Sequence, residues 1–269
     1  VVTAAASQQK DFSWIKREIG TGEAAWITDV TSSYAVLSVM GPKSRDLMQR
    51  LSPADFSNEA FPFGTMQPIE AGYAKVWATR LTFVGELGWE LYVPTEFAAP
   101  LYEELMKAGE DLNVRAVGFH ALDSLRSEKG YRHWGDDLTP GDTPYEAGLG
   151  FAVKLTKEAD FMGKEALIKQ KSEGVGRRMV HFKLENPDQL LFGGEPILFG
   201  GEVVGHLTSV SYGYAVGGAI GMGYVELPLA EVKPMLEAGG FQLEIASKPF
   251  AAIASLKPFY DPAGDKIKT

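Results

Sequence analysis

Two carboxylates interrupt an apolar and aromatic stretch, FVGELGWELYV, at residues 83–93. Glu90 lies directly between Trp89 and Leu91, so strand alternation either turns it to solvent or buries it where it needs hydrogen-bond donors. An amino-pyrimidine edge of a planar heterocycle would satisfy a buried Glu90, because a carboxylate accepts two parallel N–H bonds. An ordinary solvent-facing glutamate on a half-buried strand is the alternative, and these residues alone leave both open.

A second stretch, ALDSLRSEKGYRHWGDDLTPGDTP at 121–144, concentrates polar and aromatic groups where a predicted helix ends. Asp123 and Arg126 have the i, i+3 spacing of a favourable ion pair on a helix. Trp134 and the acids Asp136 and Asp137 follow, ahead of a Pro-rich turn. Such a segment is either a solvated helix face or part of a ligand site, and its pattern favours neither.

Several kinds of catalytic centre lack their sequence patterns in this chain. The four histidines, at positions 120, 133, 181 and 206, match no metal-ligand spacing, and the chain contains no cysteine. Neither G-x-S-x-G nor a strand, G-x-G-x-x-G, helix unit is present. We therefore expect structural histidines and predict no metal, no serine or thiolate nucleophile and no dinucleotide cradle.

Composition indicates a folded protein with a small-molecule ligand. The chain has 269 residues, 45% of them hydrophobic, which suffices for one large domain or two medium ones. Its formal net charge of -9 and the lack of a long Lys/Arg run argue against a nucleic-acid partner. Because no apolar run approaches the length of a membrane span, we expect a soluble protein without a membrane partner; its compartment is left open.

The predicted elements change in character along the chain. Helices and strands alternate first, and from about Arg177 short β-like runs separated by Gly and Pro indicate an antiparallel barrel or sandwich. We predict an α+β fold with domains 1–174 and 175–269. The predicted early elements are a strand that runs into a small-residue turn at VVTAAAS, a helix at KDFSWIKREIG, a buried strand at 34–40 and a helix ended by Pro53. They continue with a bent or paired strand around Gly85 and Gly88, a helix capped by Thr95, a helix within 118–130, and a helix plus linker at 155–176.

Several ordered motifs resemble the folate-binding aminomethyltransferase family, whose best known member is the glycine-cleavage T-protein. They are FVGELGWELYVP, LDSLRSEKGYRHWGDDLTPGDTPYEAGLGFAVKL, DFMGKEAL, VGHLTSVSYG and KPFYDPAGDK. The segments EKGYRHWGDDLTP and TPYEAGLGF are more similar to the C-terminal halves of dimethylglycine and sarcosine dehydrogenases than to the T-protein. The resemblance implies a T-protein-like folate-binding core, truncated at its N-terminus, followed by a C-terminal antiparallel β-barrel.

The resemblance also implies a cofactor and a site. Tetrahydrofolate would bind and receive a one-carbon unit from an amine, giving 5,10-methylenetetrahydrofolate. Glu90 matches the family glutamate that hydrogen-bonds the pterin ring. The other implied folate-binding positions are Phe83, Leu91, Tyr92, Trp134 and Phe151.

Departures from the family pattern qualify the expected activity. The family's catalytic Asp would lie upstream of residue 1, so no catalytic residue is assigned in this chain and the fragment alone should turn over poorly. An Asn of the T-protein aligns with Ala4, and an Arg that holds the folate tail aligns with Leu122. We expect a flavin domain with FAD in cis in the parent. A stand-alone aminomethyltransferase and a non-catalytic assembly or regulatory module are the alternatives.

Overall fold

The computed structural model describes residues 1–269, which form two compact units. The sheet unit comprises residues 1–82, 86–115 and 267–269. The barrel unit comprises residues 83–85 and 116–266. None of the helices has the length and apolar character needed to span a bilayer.

The sheet unit contains a four-stranded antiparallel sheet in the order β1-β4-β3-β2. Its strands are β1 (Tyr34–Met40), β2 (Met66–Ala71), β3 (Ala74–Thr79) and β4 (Gly88–Pro94). The predicted pairing of the strands on either side of Gly85 and Gly88 is confirmed as β3 against β4. The predicted strand at 34–40 is confirmed in its bounds, but it is half-exposed because it lies at the edge of the sheet.

Three helices accompany this sheet. They are α1 (Gln8–Glu18), α2 (Ser44–Leu51) and α3 (Ala98–Ala108). The strand predicted at the start of VVTAAAS is wrong, because residues 1–4 form no strand. The small-residue turn predicted after it is confirmed as the 3-10 turn Ala5–Ser7, which leads into α1. The predicted cap at Thr95 is also wrong, because its hydroxyl donates to the Ser32 carbonyl at 2.9 Å and a 3-10 turn, Thr95–Phe97, precedes α3.

One face of the sheet carries the core of this unit. Trp89 is fully buried and meets the rings of Phe56 and Phe61 edge-on, with centroids 5.2 and 6.1 Å away. Leu91 and Val93 follow on the same face at the two-residue period of a strand. Apolar side chains from α2 and α3 cover this face, including Leu47, Met48, Leu101 and Leu105.

The barrel unit confirms the predicted C-terminal antiparallel β-barrel. Six strands close in the order β10-β5-β8-β7-β6-β9. They are β5 (Arg178–Leu184), β6 (Pro196–Phe199), β7 (Glu202–Gly213), β8 (Gly218–Val225), β9 (Phe241–Ile245) and β10 (Lys248–Ser255). The helices of this unit are α4 (Phe119–Glu128), α5 (Lys164–Glu173) and α6 (Leu229–Ala238). The first two confirm predicted helices, whereas α6 was not predicted.

Helix α4 packs on the barrel, which explains why the compact units differ from the two predicted domains. Ser124 of α4 donates to the Tyr212 carbonyl of β7 at 2.7 Å, and Arg126 donates to the Ser209 hydroxyl at 2.9 Å. These bonds group α4 with the strands that follow it by many residues. The predicted boundary between domains 1–174 and 175–269 stays a prediction. Compact units defined by contacts within the fold do not test a boundary between domains of the sequence.

Glycines in β8 allow the barrel strands to approach closely. Gly223 pairs with Val180 of β5 and Leu207 of β7. A Cβ atom at this position would collide with the backbone carbonyl of His206, which the hydrogen-bonded strands hold in place. Gly223 therefore meets a packing requirement of the closed barrel, since only a residue without a Cβ fits.

We predict that Gly223→Ala destabilises the protein by about 1–3 kcal/mol, because the extra methyl group overpacks the strand interface. Equilibrium denaturation in urea measures this loss. Gly176→Ala is the matched control, since no atom lies within 4 Å of its added Cβ. Equal stabilities of the two variants would contradict the packing explanation.

His181 of β5 is a buried histidine without a hydrogen-bond partner at Nε2. Burial lowers its pKa to about 3, and the nearby cations Arg132 and Arg178 add to the effect. In the unfolded chain the His181 side chain therefore binds a proton near the ordinary histidine pKa, whereas in the folded protein it binds a proton only at much lower pH. Stability from this group is full above pH 6.5 and is lost as the pH falls toward 3.

We predict that His181→Gln weakens the acid sensitivity of folding. Between pH 7 and pH 4 the wild-type protein should lose about 3 kcal/mol more stability than the variant, because the variant has no imidazole to protonate. Denaturation curves at both pH values measure the difference. Parallel losses in the two proteins would show that His181 does not set the acid response.

Candidate functional site

Glu90 lies on the open face of the four-stranded sheet, opposite the core. Its neighbours along β4, Trp89 and Leu91, are fully buried on the other face, whereas Glu90 and Tyr92 are half-buried. Strand alternation thus answers the question that the sequence raises: the carboxylate avoids the core without being fully exposed. Leu91, a predicted folate-binding residue, has its side chain in the core rather than on the open face, and its role in binding stays a prediction.

Residues that carry hydroxyl groups lie next to Glu90 on its own strand and on both neighbouring strands. Ser38 of β1 and Thr79 of β3 are the residues directly opposite Glu90 on its two neighbouring strands. The Tyr92 hydroxyl donates to Oε2 of Glu90 at 3.0 Å. Because directly opposite residues share a face of the sheet, these groups form a polar patch around one carboxylate, here called the Glu90 patch.

Apolar and aromatic side chains border the Glu90 patch. Val36 and Trp77 are the cross-strand neighbours of Tyr92, and both are large exposed hydrophobic side chains. Trp77 is 45% exposed, so part of its surface is accessible to a ligand. Aromatic rings beside a carboxylate can bind a planar heterocycle by stacking on its face while the carboxylate accepts from its edge.

The pKa of Tyr92 supports its role as a hydrogen-bond donor to Glu90. Burial raises the pKa of Tyr92 to about 12, and the adjacent charge and hydrogen bond of Glu90 contribute further. The phenol therefore remains a hydrogen-bond donor at neutral pH. It occupies Oε2 of Glu90, whereas Oε1 makes no hydrogen bond within the protein and can accept from a ligand.

The remaining predicted folate-binding residues belong to the barrel unit. The Phe83 ring stacks on Tyr131 with centroids 6.1 Å apart and planes 10° apart. Trp134 is 45% exposed and Phe151 is 80% exposed, the latter in the 3-10 turn Gly150–Ala152. The three side chains are accessible or ring-stacked, and their roles in binding stay predictions.

Arg126 of α4 and Asp137 of the segment that follows it belong to a buried polar network, whereas Trp134 and Asp136 of the same segment are exposed. Arg126 contacts Asp123 and Asp137 at 2.7 Å each, which confirms the pair of Asp123 with Arg126. Asp137 is fully buried and also accepts from the His133 backbone N–H at 2.8 Å and the Thr208 hydroxyl at 2.5 Å. The network fastens the end of α4 and the following loop to β7.

Sequence reasoning did not identify Ser38, Thr79 or the buried role of Asp137. The first two become neighbours of Glu90 only through the register of three strands. The partners of Asp137 come from α4 and β7, so no local spacing points to them. No group of three or more His, Asp or Glu side chains is arranged to hold a metal ion.

We predict that Asp137→Asn lowers the free energy of unfolding by about 3–5 kcal/mol, because it leaves the buried Arg126 without a full counter-charge. Asp136→Asn is the matched control: its carboxylate is 58% exposed and pairs only with His133, so its loss should cost less than about 1 kcal/mol. Urea denaturation compares the two neighbours. A similar cost for both would contradict the structural role of Asp137.

Comparison with known proteins gives a consistent set of matches. The model of the GCVT N-terminal domain matches residues 1–157, and that of the glycine cleavage T-protein C-terminal barrel domain matches residues 177–261. A solved structure, the glycine cleavage system aminomethyltransferase T from Bartonella henselae, superimposes with a TM-score of 0.79 at 26% identity. The match covers 96% of this chain and 67% of that one.

Two curated relatives are much longer than this chain. The chain is 42% identical over 270 residues to the 4-methylaminobutanoate oxidase (formaldehyde-forming) of Paenarthrobacter nicotinovorans, covering 100% of this chain and 32% of the relative. It is 41% identical over 244 residues to mitochondrial sarcosine dehydrogenase of Mus musculus, covering 90% and 26%. The chain thus spans about a third or less of the length of these relatives.

Proposed function

We propose that this chain binds tetrahydrofolate for one-carbon transfer. It belongs to the glycine-cleavage T-protein family of aminomethyltransferases. The observation that carries this proposal is the Glu90 patch. It offers a half-buried carboxylate with a free oxygen, surrounding hydroxyls and an exposed indole. These are the groups that a planar, donor-rich heterocycle requires.

The residues of the patch fit a pterin ring. Its amino-pyrimidine edge presents adjacent N–H groups, to which the Glu90 carboxylate would offer a charge-assisted acceptor. Tyr92 would hold that carboxylate in place through the bond to Oε2. Trp77 would supply apolar surface for the ring, and Ser38 and Thr79 would complete the polar surroundings. Phe83, Trp134 and Phe151 of the barrel unit are proposed as further folate-binding residues.

Tetrahydrofolate, when bound, supplies nucleophilic nitrogens that accept a one-carbon unit and yield 5,10-methylenetetrahydrofolate. The residues of this chain would bind and orient the cofactor, and holding reactants in place is a large part of the rate enhancement in such transfers.

We further propose that the module serves an FAD-dependent N-methyl amine dehydrogenase, with a flavin domain in cis. Both curated relatives are named for N-methyl amines, 4-methylaminobutanoate and sarcosine, which supports this assignment. In such a protein the flavin would oxidise the amine, and the folate module would capture the one-carbon unit. One relative is named as formaldehyde-forming, so the fate of that unit is the point to measure.

A stand-alone aminomethyltransferase is the second candidate, favoured by the structural match to the Bartonella henselae protein. The absorbance spectrum of the full-length parent separates the candidates. A flavin spectrum with substrate-dependent bleaching by an N-methyl amine favours the dehydrogenase, whereas a protein without flavin favours the transferase. A protein that binds neither flavin nor folate would support a non-catalytic module.

We predict that Glu90→Gln weakens binding of 5-formyltetrahydrofolate by roughly 10- to 100-fold, because a charge-assisted hydrogen bond of about 1.5–3 kcal/mol is lost. Isothermal titration of the full-length protein measures the affinity. Glu70→Gln is the matched control, since Glu70 is an exposed glutamate on the edge strand β2 of the same sheet. Unchanged affinity of the Glu90 variant would remove Glu90 from the site.

A further inference from the structure

Two arginines of the barrel unit converge without a carboxylate between them. Arg132 follows α4, and Arg178 begins β5. Their Nη2 atoms lie 3.0 and 2.9 Å from the point where a Cβ of Gly148 would stand. Gly148 has a φ of +77°, so this backbone conformation favours glycine, and no side chain separates the two guanidinium groups.

The hydrogen bonds of both arginines go to neutral acceptors. Arg132 donates from Nε to the Ala147 carbonyl at 3.1 Å and from Nη1 to the Gly130 carbonyl at 2.5 Å. Arg178 donates from Nη1 to the Tyr145 carbonyl at 2.5 Å. These bonds orient the guanidinium planes and use neither Nη2 group. The buried Nε of Arg178 has no acceptor in the protein.

The neighbouring Arg177, in contrast, is neutralised by carboxylates. It pairs with Asp142 at 2.7 Å, Glu146 at 3.5 Å and Glu226 at 3.8 Å. Arg132 and Arg178 form no ion pair of this kind. The acid that acts electrostatically on Arg132 is Asp137, which is bound to Arg126.

Burial of Arg132 and Arg178 makes the absence of a counter-charge energetically unfavourable. Burial lowers the pKa of both arginines, and the charge of Arg178 lowers the pKa of Arg132 further. His181, which senses both cations, is buried and carries an Nε2 atom without a partner. The phenol of Tyr224 is the other titratable group that acts on the pair, and it donates its proton to the Asp137 carbonyl. An anion at the arginines would supply the missing charge.

We propose that Arg132 and Arg178 form a binding site for a small oxyanion, either a phosphate or a carboxylate group of a ligand. Guanidinium groups match both chemistries, because their N–H donors lie in a rigid plane that fits the spacing of two oxygen atoms. Both side chains are only partly buried, so a ligand can reach them from solvent. The site uses the barrel unit alone and stands whether or not folate binds at the Glu90 patch.

The test is isothermal titration of the full-length protein with inorganic phosphate and, separately, with glutarate, at constant ionic strength set with chloride. We expect saturable binding of at least one probe and a loss of about tenfold or more in Arg178→Gln, since one of two charged donors is removed. Arg177→Gln is the matched control: it removes the same charge one residue away and should retain the affinity. Binding of phosphate alone, or of glutarate alone, identifies the chemical class of the ligand.

A second variant keeps the test decisive if Arg178→Gln does not fold. Arg178→Lys retains the charge but not the planar donors, so it should fold and bind the probe more weakly than wild type. Circular dichroism verifies folding of each variant before titration. No binding of either probe to the wild-type protein, or equal binding by wild type and both Arg178 variants, would overturn the proposed site.

Discussion

The alternation of side chains along β4 is the constraint on which the sheet unit depends. Trp89, Leu91 and Val93 enter the core on one face, and Glu90 and Tyr92 lie on the other. A shift of register by one residue would bury the carboxylate and expose the indole, so the core strongly favours the observed register. The same hydrophobic burial that stabilises the unit therefore presents the candidate ligand-binding groups.

The barrel unit solves a different problem, the burial of charge. Arg126 and Asp137 are compensated by each other and by hydroxyl groups, so the loop after α4 is held to β7 by fully partnered polar groups. Backbone carbonyl groups orient Arg132 and Arg178, but no carboxylate pairs with either of them. The contrast within one unit separates a network that serves the fold from a pair that we assign to a ligand.

Much of the fold could be predicted from the sequence because its signals are local. Short β-like runs with Gly and Pro turns predicted the barrel, the helical spacing of apolar residues predicted α1 and α3, and several ordered motifs predicted the family. The open face around Glu90 could be predicted only in part, because Ser38 and Thr79 reach Glu90 through strand register. The opening strand failed as a prediction, since the apolar residues at the start form no sheet contacts and Ala5–Ser7 turns into α1.

Electrostatic features were the hardest to predict. The charged run after α4 looked equally suited to solvent and to a site, because burial depends on packing against a strand far away in sequence. The oxyanion site likewise brings together residues from three separate segments, joined at a glycine whose missing side chain leaves space. Such sites follow from tertiary structure and leave no periodic trace in the sequence.

The central claim, that the Glu90 patch binds the pterin ring, is tested most directly by a crystal structure of the full-length protein with 5-formyltetrahydrofolate. We predict that the amino-pyrimidine edge lies within hydrogen-bond distance of the Glu90 carboxylate, with the Tyr92 hydroxyl still bonded to Oε2. A pterin ring bound elsewhere, with Glu90 facing only solvent, would contradict it.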